Sequence, residues 1–342
     1  MKKRYGIIAL MLTIWIMCVA VYGVVQLTTP MNLDTPDVIT FEKGSPLSHF
    51  FTTLEDIGVI TDSRFIMLVA KLSGQARKAK AGSYELTSSM NSLDVLNLLI
   101  EGKTVKYKIT LVEGHNIKET LARIRADDKL IQDLPLELNA LMPFLGLTGH
   151  PEGRFFPDTY LFDMNTRASE ILVRAQVRLE TVLAEQWQKK AKNLPYKSSY
   201  EALIMASIVE KETAAPDERE KIAGVFVRRL NKRMRLETDP TVIYGLGDRY
   251  QGNIRRKHLR ELTEYNTYRI KGLPPTPISL VGKEAIYAAL NPADGEELFF
   301  VAKGNGRHYF SSTLAEHNKA VREYQINKRK TAEEYRSTPD KK

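Results

Sequence analysis

Two carboxylates close one apolar run. In MASIVEKETA, residues 205–214, Glu210 and Glu212 follow Met205, Ala206, Ile208 and Val209. Apolar surroundings oppose ionisation, and a carboxyl group that keeps its proton near neutral pH can serve as a general acid. Two such groups could divide acid and base work on a glycosidic bond if both faced one substrate. A helix forbids that here, because at about 100° per residue Glu210 and Glu212 project about 160° apart. With Leu203 at zero, Ile204, Ile208, Met205 and Val209 fall at about 100°, 140°, 200° and 240°. Glu212 lands at about 180°, within that stripe. Glu210 lands at about 340°, between Ala206 and Leu203 and beside the expected polar side. The pattern predicts a lone acid at Glu212, or else a stripe that stops a turn early and leaves Glu212 in solvent. Glu210 reads as a surface residue or as the partner of an arginine or lysine.

The elements that must hold these residues begin with an anchor. Lys2, Lys3 and Arg4 precede an uncharged run, YGIIALMLTIWIMCVAVYGVVQL, over residues 5–27. As a helix that run spans a hydrocarbon core of roughly 30 Å. A cleaved signal peptide has an apolar region of about 7–15 residues and a small-residue cleavage site; this run is longer and no such site follows cleanly. It reads as a retained single-pass membrane anchor, with residues 1–4 cytoplasmic and the remainder outside. The only cysteine, Cys18, lies within the anchor, which leaves the exported part without disulfides, thiolate metal sites or a cysteine nucleophile. The six histidines show no metal-binding spacing, so neither a metal nor a cofactor is expected. A net charge of +9 on an exported chain points to anionic lipid or an acidic polymer, and not to nucleic acid.

The chain as a whole, 342 residues with 43% apolar and 27% charged side chains, is long enough for two globular domains beyond the anchor. A polar connector (28–37) leads to a compact α+β module at 38–111. Its strands are expected at 38–42, 83–87 and 104–112, and its helices from Ser45-Pro46, at 63–72 and at 92–99. Ser45 would cap the first helix, with Pro46 at its first position. From 112 to 326 helices dominate, at 117–126, 168–188, 199–213, 218–233 and 283–290. The loops PEGRFFPDTYLF, TDPTVIYGLG, EYNTY and GLPPTPI lie among them. LFFVA and RHYFSS flank Gly304, Asn305 and Gly306, a hairpin signal. The charged tail, 327–342, reads as disordered. The fold class is α+β, with an N-terminal transmembrane helix, a small mixed module and a mainly helical domain that ends in a β-hairpin.

MASIVEKET, together with TDPTVIYGLG, YNTY, GLPP and EGRFFPDTY, closely resembles the YceG-like family, the endolytic murein transglycosylases of bacteria. The motifs occur in order over nearly the whole exported chain. The resemblance implies one membrane anchor, a LysM-like module and a catalytic domain, and it places the catalytic glutamate at Glu212. It further implies a lyase that cuts the β-1,4 bond between N-acetylmuramic acid and N-acetylglucosamine within a peptidoglycan strand. The muramyl C6 hydroxyl attacks its own anomeric carbon and leaves a 1,6-anhydro end. An internal nucleophile removes the need for an activated water, so one carboxyl group suffices where hydrolases use two. Strand termination beside peptidoglycan synthases, at the cytoplasmic membrane with the catalytic domain in the periplasm or outside the cell, completes what the resemblance implies.

A sugar cleft needs aromatic faces, amides and hydroxyls. Tyr244, Tyr265, Asn266 and Tyr268 supply them, although ordinary packing under a loop would use the same residues. Glu210, Glu152, Asp158, Thr238 and Asp239 complete the expected substrate contacts. Glu152, Arg154 and Asp158 would orient Glu212, line the cleft or form a structural ion pair. Asp239 before Pro240 also reads as a helix N-cap. Thr276 stands where many relatives carry glycine, so the local backbone of the GLPPTPI wall is expected to differ. Two rivals remain: a membrane-anchored wall-binding scaffold without turnover, and a hydrolytic muramidase with Asp239 or Asp158 as second carboxylate.

Overall fold

A computed structural model describes residues 2–213 and 215–327. The chain is mixed α+β, rich in helix, and its few short strands form two-stranded sheets. It divides into two units. The first runs to Lys108 and takes back Leu161–Thr166; the second holds Ile109–Tyr160 and the chain from Arg167 onward.

In the first unit, α1 (Lys2–Thr28) carries the uncharged run. Its Tyr5–Thr28 portion is long and apolar enough to cross a membrane. Most of its large apolar side chains are exposed. The stretch that follows is tied in despite its polar composition. Met31 is buried and donates its N–H to the Met90 carbonyl (2.8 Å), and Asn32 donates to Val59 (3.0 Å). β1 (Asp37–Phe41), α2 (Leu47–Asp56), α3 (Arg64–Leu72), β2 (Gly82–Leu86) and α4 (Ser92–Glu101) follow. β1 and β2 pair antiparallel, with Ile39 opposite Tyr84. Phe50, Phe51, Leu54, Ile66, Tyr84 and Leu96 fill the space between sheet and helices. α4 shows why its ends fall where they do: Asn91 and Asp94 form a capping box, and Gly102 closes the helix at φ 72°, a left-handed conformation that costs glycine little. The start of α2 differs from expectation by one residue. Pro46 is extended (φ −71°, ψ 145°) and occupies the N-cap, so neither it nor Ser45 takes the anticipated role.

α5 (Ile117–Arg125), β4 (Leu130–Ile131) and α6 (Leu138–Phe144) belong to the second unit, while the unit boundary cuts β3 (Tyr107–Thr110), β5 (Thr159–Phe162) and β6 (Thr166–Arg167). Then come α7 (Ala168–Gln188), α8 (Ser199–Glu212), α9 (Arg219–Asn231), α10 (Asp239–Leu246), α11 (Arg256–Arg260) and α12 (Lys283–Leu290). The hairpin β7 (Phe299–Ala302) and β8 (His308–Ser311), α13 (Leu314–Val321) and a π-helical turn, Arg322–Asn327, end the described chain. The expected tail lies, apart from Asn327, outside the described residues.

α8 is the axis of this unit, packed against α7, α9, α10 and α12. Every residue from 202 to 209 is buried. The wheel presumed a polar face, but α8 is apolar all round, as a central core helix must be. Leu203, Met205, Ile208 and Val209 meet Ile222, Phe226, Ile286 and Leu290 in one cluster.

Candidate active site

α8 starts on a side-chain cap, Ser198 Oγ accepting from the Glu201 N–H (3.3 Å), and stops at Glu212 because Thr213 is extended (φ −147°, ψ 137°). Glu212 therefore projects from the last turn of a rigid core helix. It is half-buried, and the Thr238 hydroxyl donates to its Oε1. Burial pushes the Glu212 carboxyl up to about 7; the hydrogen bond from Thr238 opposes that rise and the Asp239 charge adds to it. A carboxylic acid that titrates near neutrality can both give and regain a proton there.

Hydroxyls hold Thr238 in place. Its N–H donates to Thr267 Oγ1 (3.0 Å), Thr241 Oγ1 lies 2.9 Å from Thr267 Oγ1, and Thr241 also donates to the Thr238 carbonyl (2.9 Å). All three threonines are buried. Just before them Glu237 adopts φ 54°, a conformation that costs a residue with a side chain and that the surroundings must enforce. They do so twice: Glu237 N–H bonds to the Thr267 carbonyl (3.3 Å), and its carboxylate pairs with Arg229 (3.2 Å). The N-cap of α10 is Thr238, and Asp239 is the first helical residue with Pro240 second, so the helix starts one residue earlier than the sequence suggests. The Thr238 hydroxyl is turned to Glu212 and makes no cap bond. Asp239 accepts from Tyr268 Oη (2.8 Å), and burial raises the Tyr268 phenol well above its ordinary range.

These groups line an open cleft of about 570 Å³, a size that suits small-molecule or sugar binding. Its polar lining includes Glu212, Thr238, Asp239 and Tyr268 together with Arg229 and Glu237, while β7 and α13 supply an aromatic part, Phe299, Phe300 and His317. Phe299 stacks on His317 (5.2 Å between centroids), and the Arg229 guanidinium lies 5.1 Å from the Phe299 ring centroid.

The other expected residues lie elsewhere. Glu152 is 1% exposed and accepts from the Ile117 N–H (3.1 and 3.2 Å) and from Tyr244 Oη (3.0 Å). Burial pushes its carboxyl up to about 7 against those two hydrogen bonds. The Tyr244 ring packs 4.8 Å from Tyr265, whose hydroxyl meets Thr276 Oγ1 at 2.8 Å. Thr276 thus anchors Tyr265. Glu210 is not at the polar surface: its side chain is 6% exposed, accepts from the Gly282 N–H (3.0 Å) and lies 3.6 Å from Arg219. Of the alternatives for Glu210, the arginine partner is the one observed. Asp158 is exposed and lies 3.8 Å from Arg178, and Arg154 bonds to the Thr148 carbonyl (3.4 Å). Asn266 is buried, donating to the carbonyls of His258 (3.0 Å) and Glu261 (2.6 Å) and accepting from the Tyr268 N–H (3.1 Å). Sequence reasoning missed Thr241, Thr267, Arg229, Glu237 and the aromatic part of the cleft. Thr241 and Thr267 lie inside the quoted TDPTVIYGLG and YNTY stretches, the only local signal they give.

The YceG-like family model matches residues 39–323, and the chain belongs to that family. It is 32% identical over 315 residues to an endolytic murein transglycosylase of Bacillus subtilis, covering 86% of this chain and 85% of the relative. A Streptococcus pneumoniae protein of the same name is 27% identical over 333 residues; the match takes in 86% of this chain but 60% of that longer protein. A solved YceG-like protein from Listeria monocytogenes is 34% identical, with a TM-score of 0.52 over 83% of this chain and 99% of its own.

Proposed function

We propose that the chain is a membrane-anchored endolytic lytic transglycosylase of peptidoglycan, with Glu212 as its only acid–base group. The observation that carries this reading is a carboxyl group titrating near 7, on the last turn of a core helix, open to a cleft with polar and aromatic lining. Protonated Glu212 gives its proton to the glycosidic oxygen between N-acetylmuramic acid and N-acetylglucosamine as the bond from C1 breaks. The muramyl C6 hydroxyl then closes on C1 and returns its proton to the Glu212 carboxylate, forming the 1,6-anhydro end. The Thr238 hydroxyl stabilises the carboxylate between the two transfers. Asp239, whose charge favours the protonated form of Glu212, and Tyr268 contact the sugar beside it. Glu210, held between Gly282 and Arg219, fixes the end of α8.

Residues 5–27 span the cytoplasmic membrane with the basic residues 2–4 inside, and the catalytic domain, 112–326, works on the outer side. The LysM-like module, 38–111, binds glycan or sets the height of the catalytic domain. In this position the enzyme ends strand growth beside the synthases. One observation favours a second reading, since Asp239 shares the cleft with Glu212 and could activate water in a hydrolase. Digestion of purified strands, with the new ends weighed by mass spectrometry, separates the readings. Anhydro ends are expected; reducing ends would favour the hydrolase, and uncut strands a binding scaffold.

A further inference from the structure

The second unit has another recess, about 340 Å³ in volume, whose lining includes Arg249, Arg255, Lys257, His258, Gln251 and Asn253. Its charge is one-sided. Asp248 pairs with Lys118 (3.1 Å), and Glu261 pairs with Arg249 (2.9 Å). Among the described residues Arg255, Arg256, Lys257 and Arg260 have no acidic partner. His258 Nδ1 accepts from the Arg255 N–H (3.1 Å). The recess is thus lined mostly by cations and amides, its one carboxylate, Glu261, being taken up by Arg249, with Leu246 as its apolar residue and no aromatic platform for a base to stack on.

It is also rigidly joined to the cleft. α10 carries Asp239 of the cleft at one end and Leu246 of the recess at the other; at about 1.5 Å per residue the ends lie about 10 Å apart. Asn266 ties the carbonyls of His258 and Glu261 to the turn that holds Thr267 and Tyr268. A polymer seated at Glu212 therefore brings its side branches within reach of this recess.

We propose that the recess is an anion subsite for the carboxylates of the peptide branches on the glycan strand, with Arg255 and Lys257 as charge partners and Gln251 and Asn253 as partners for peptide amides. Arginine forks suit carboxylates. The assignment rests on the peptidoglycan reading above and names the part of the substrate that the second recess recognises.

The test uses the full-length protein in detergent, an Arg255→Gln/Lys257→Gln double variant and the conservative Arg255→Lys. Cleavage is followed on peptide-bearing strands and on the same strands stripped of peptide. The double variant is expected to raise KM about tenfold on peptide-bearing strands, with kcat unchanged and with no change on stripped strands; Arg255→Lys recovers part of the loss. Equal KM changes on both substrates, or none on either, would overturn the proposal. Binding of the free acidic peptide, followed by NMR, gives a readout that needs no turnover: wild type binds and the double variant does not. If neither strand is cut but this difference persists, the catalytic reading fails and the subsite stands. If inorganic pyrophosphate, and not the peptide, binds in a variant-sensitive way, the site serves phosphates and the carboxylate assignment is wrong.

Discussion

Glu212 and Glu152 are two carboxyl groups that burial raises to the same value, about 7, in surroundings with opposite consequences. Glu152 is sealed, 1% exposed, with the Ile117 N–H and the Tyr244 hydroxyl fixed on its oxygens. Glu212 is half-buried, bonded by one hydroxyl and open to the cleft. A shifted pKa alone therefore does not mark a catalyst. Access does: a proton must be able to leave toward a substrate, and only Glu212 has a path to one.

Substitution at each site sharpens the contrast. Glu212→Gln removes the transferable proton while keeping shape, and turnover of glycan strands is expected to fall by about 10²–10⁴-fold with the fold retained in thermal melts. Retained turnover would transfer the role to another group. Thr238→Val keeps volume but deletes the donor to Glu212. That bond lowers the Glu212 pKa, so its loss moves the titration upward and costs about tenfold in kcat through a less stable carboxylate; Thr238→Ser restores both. A variant with wild-type kcat and an unmoved pH profile would show that the hydroxyl only fills space.

Glu152→Gln should change activity by no more than about twofold, because the amide oxygen can still accept from Ile117 and Tyr244. Its signature is in stability. A carboxyl group raised from 4.5 to about 7 on folding contributes stability that is present below 4.5 and lost as pH rises through about 7. The variant escapes that loss, so it gains about 1–3 kcal/mol over wild type above neutrality and nothing at pH 4, as urea melts across this range would reveal. A gain that is independent of pH would place the effect in packing, not ionisation.

How far the sequence reaches differs between these regions. Local pattern was enough for the long elements: α7 and α12 run from Ala168 to Gln188 and from Lys283 to Leu290, as their periodicity suggests, and the Gly304–Asn305–Gly306 turn does join a hairpin. The wheel picked out Glu212 from its apolar neighbours, yet it misread the helix as one-sided, because Glu210 and Lys211 look polar whether or not a partner buries them. Glu210 owes its burial to Gly282 and Arg219, and one of these is far along the chain. The threonine set around Thr238 joins TDPT to YNTY across the fold, and such a contact has no local period to read. The start of α10 was legible only to within a residue: Asp239-Pro240 signals a cap, but the bonds that fix the start one residue earlier come from Thr267 and Tyr268.

The central claim, that an accessible Glu212 acts as the proton donor near neutrality, is tested most directly by the pH dependence of kcat/KM on glycan strands. With the carboxyl titrating at about 7, kcat/KM should fall tenfold for each further pH unit, on the order of a single ionisation, and this limb should move upward in Thr238→Val. A profile that stays level to pH 9, or one that breaks near the ordinary glutamate value of 4.5, would contradict it.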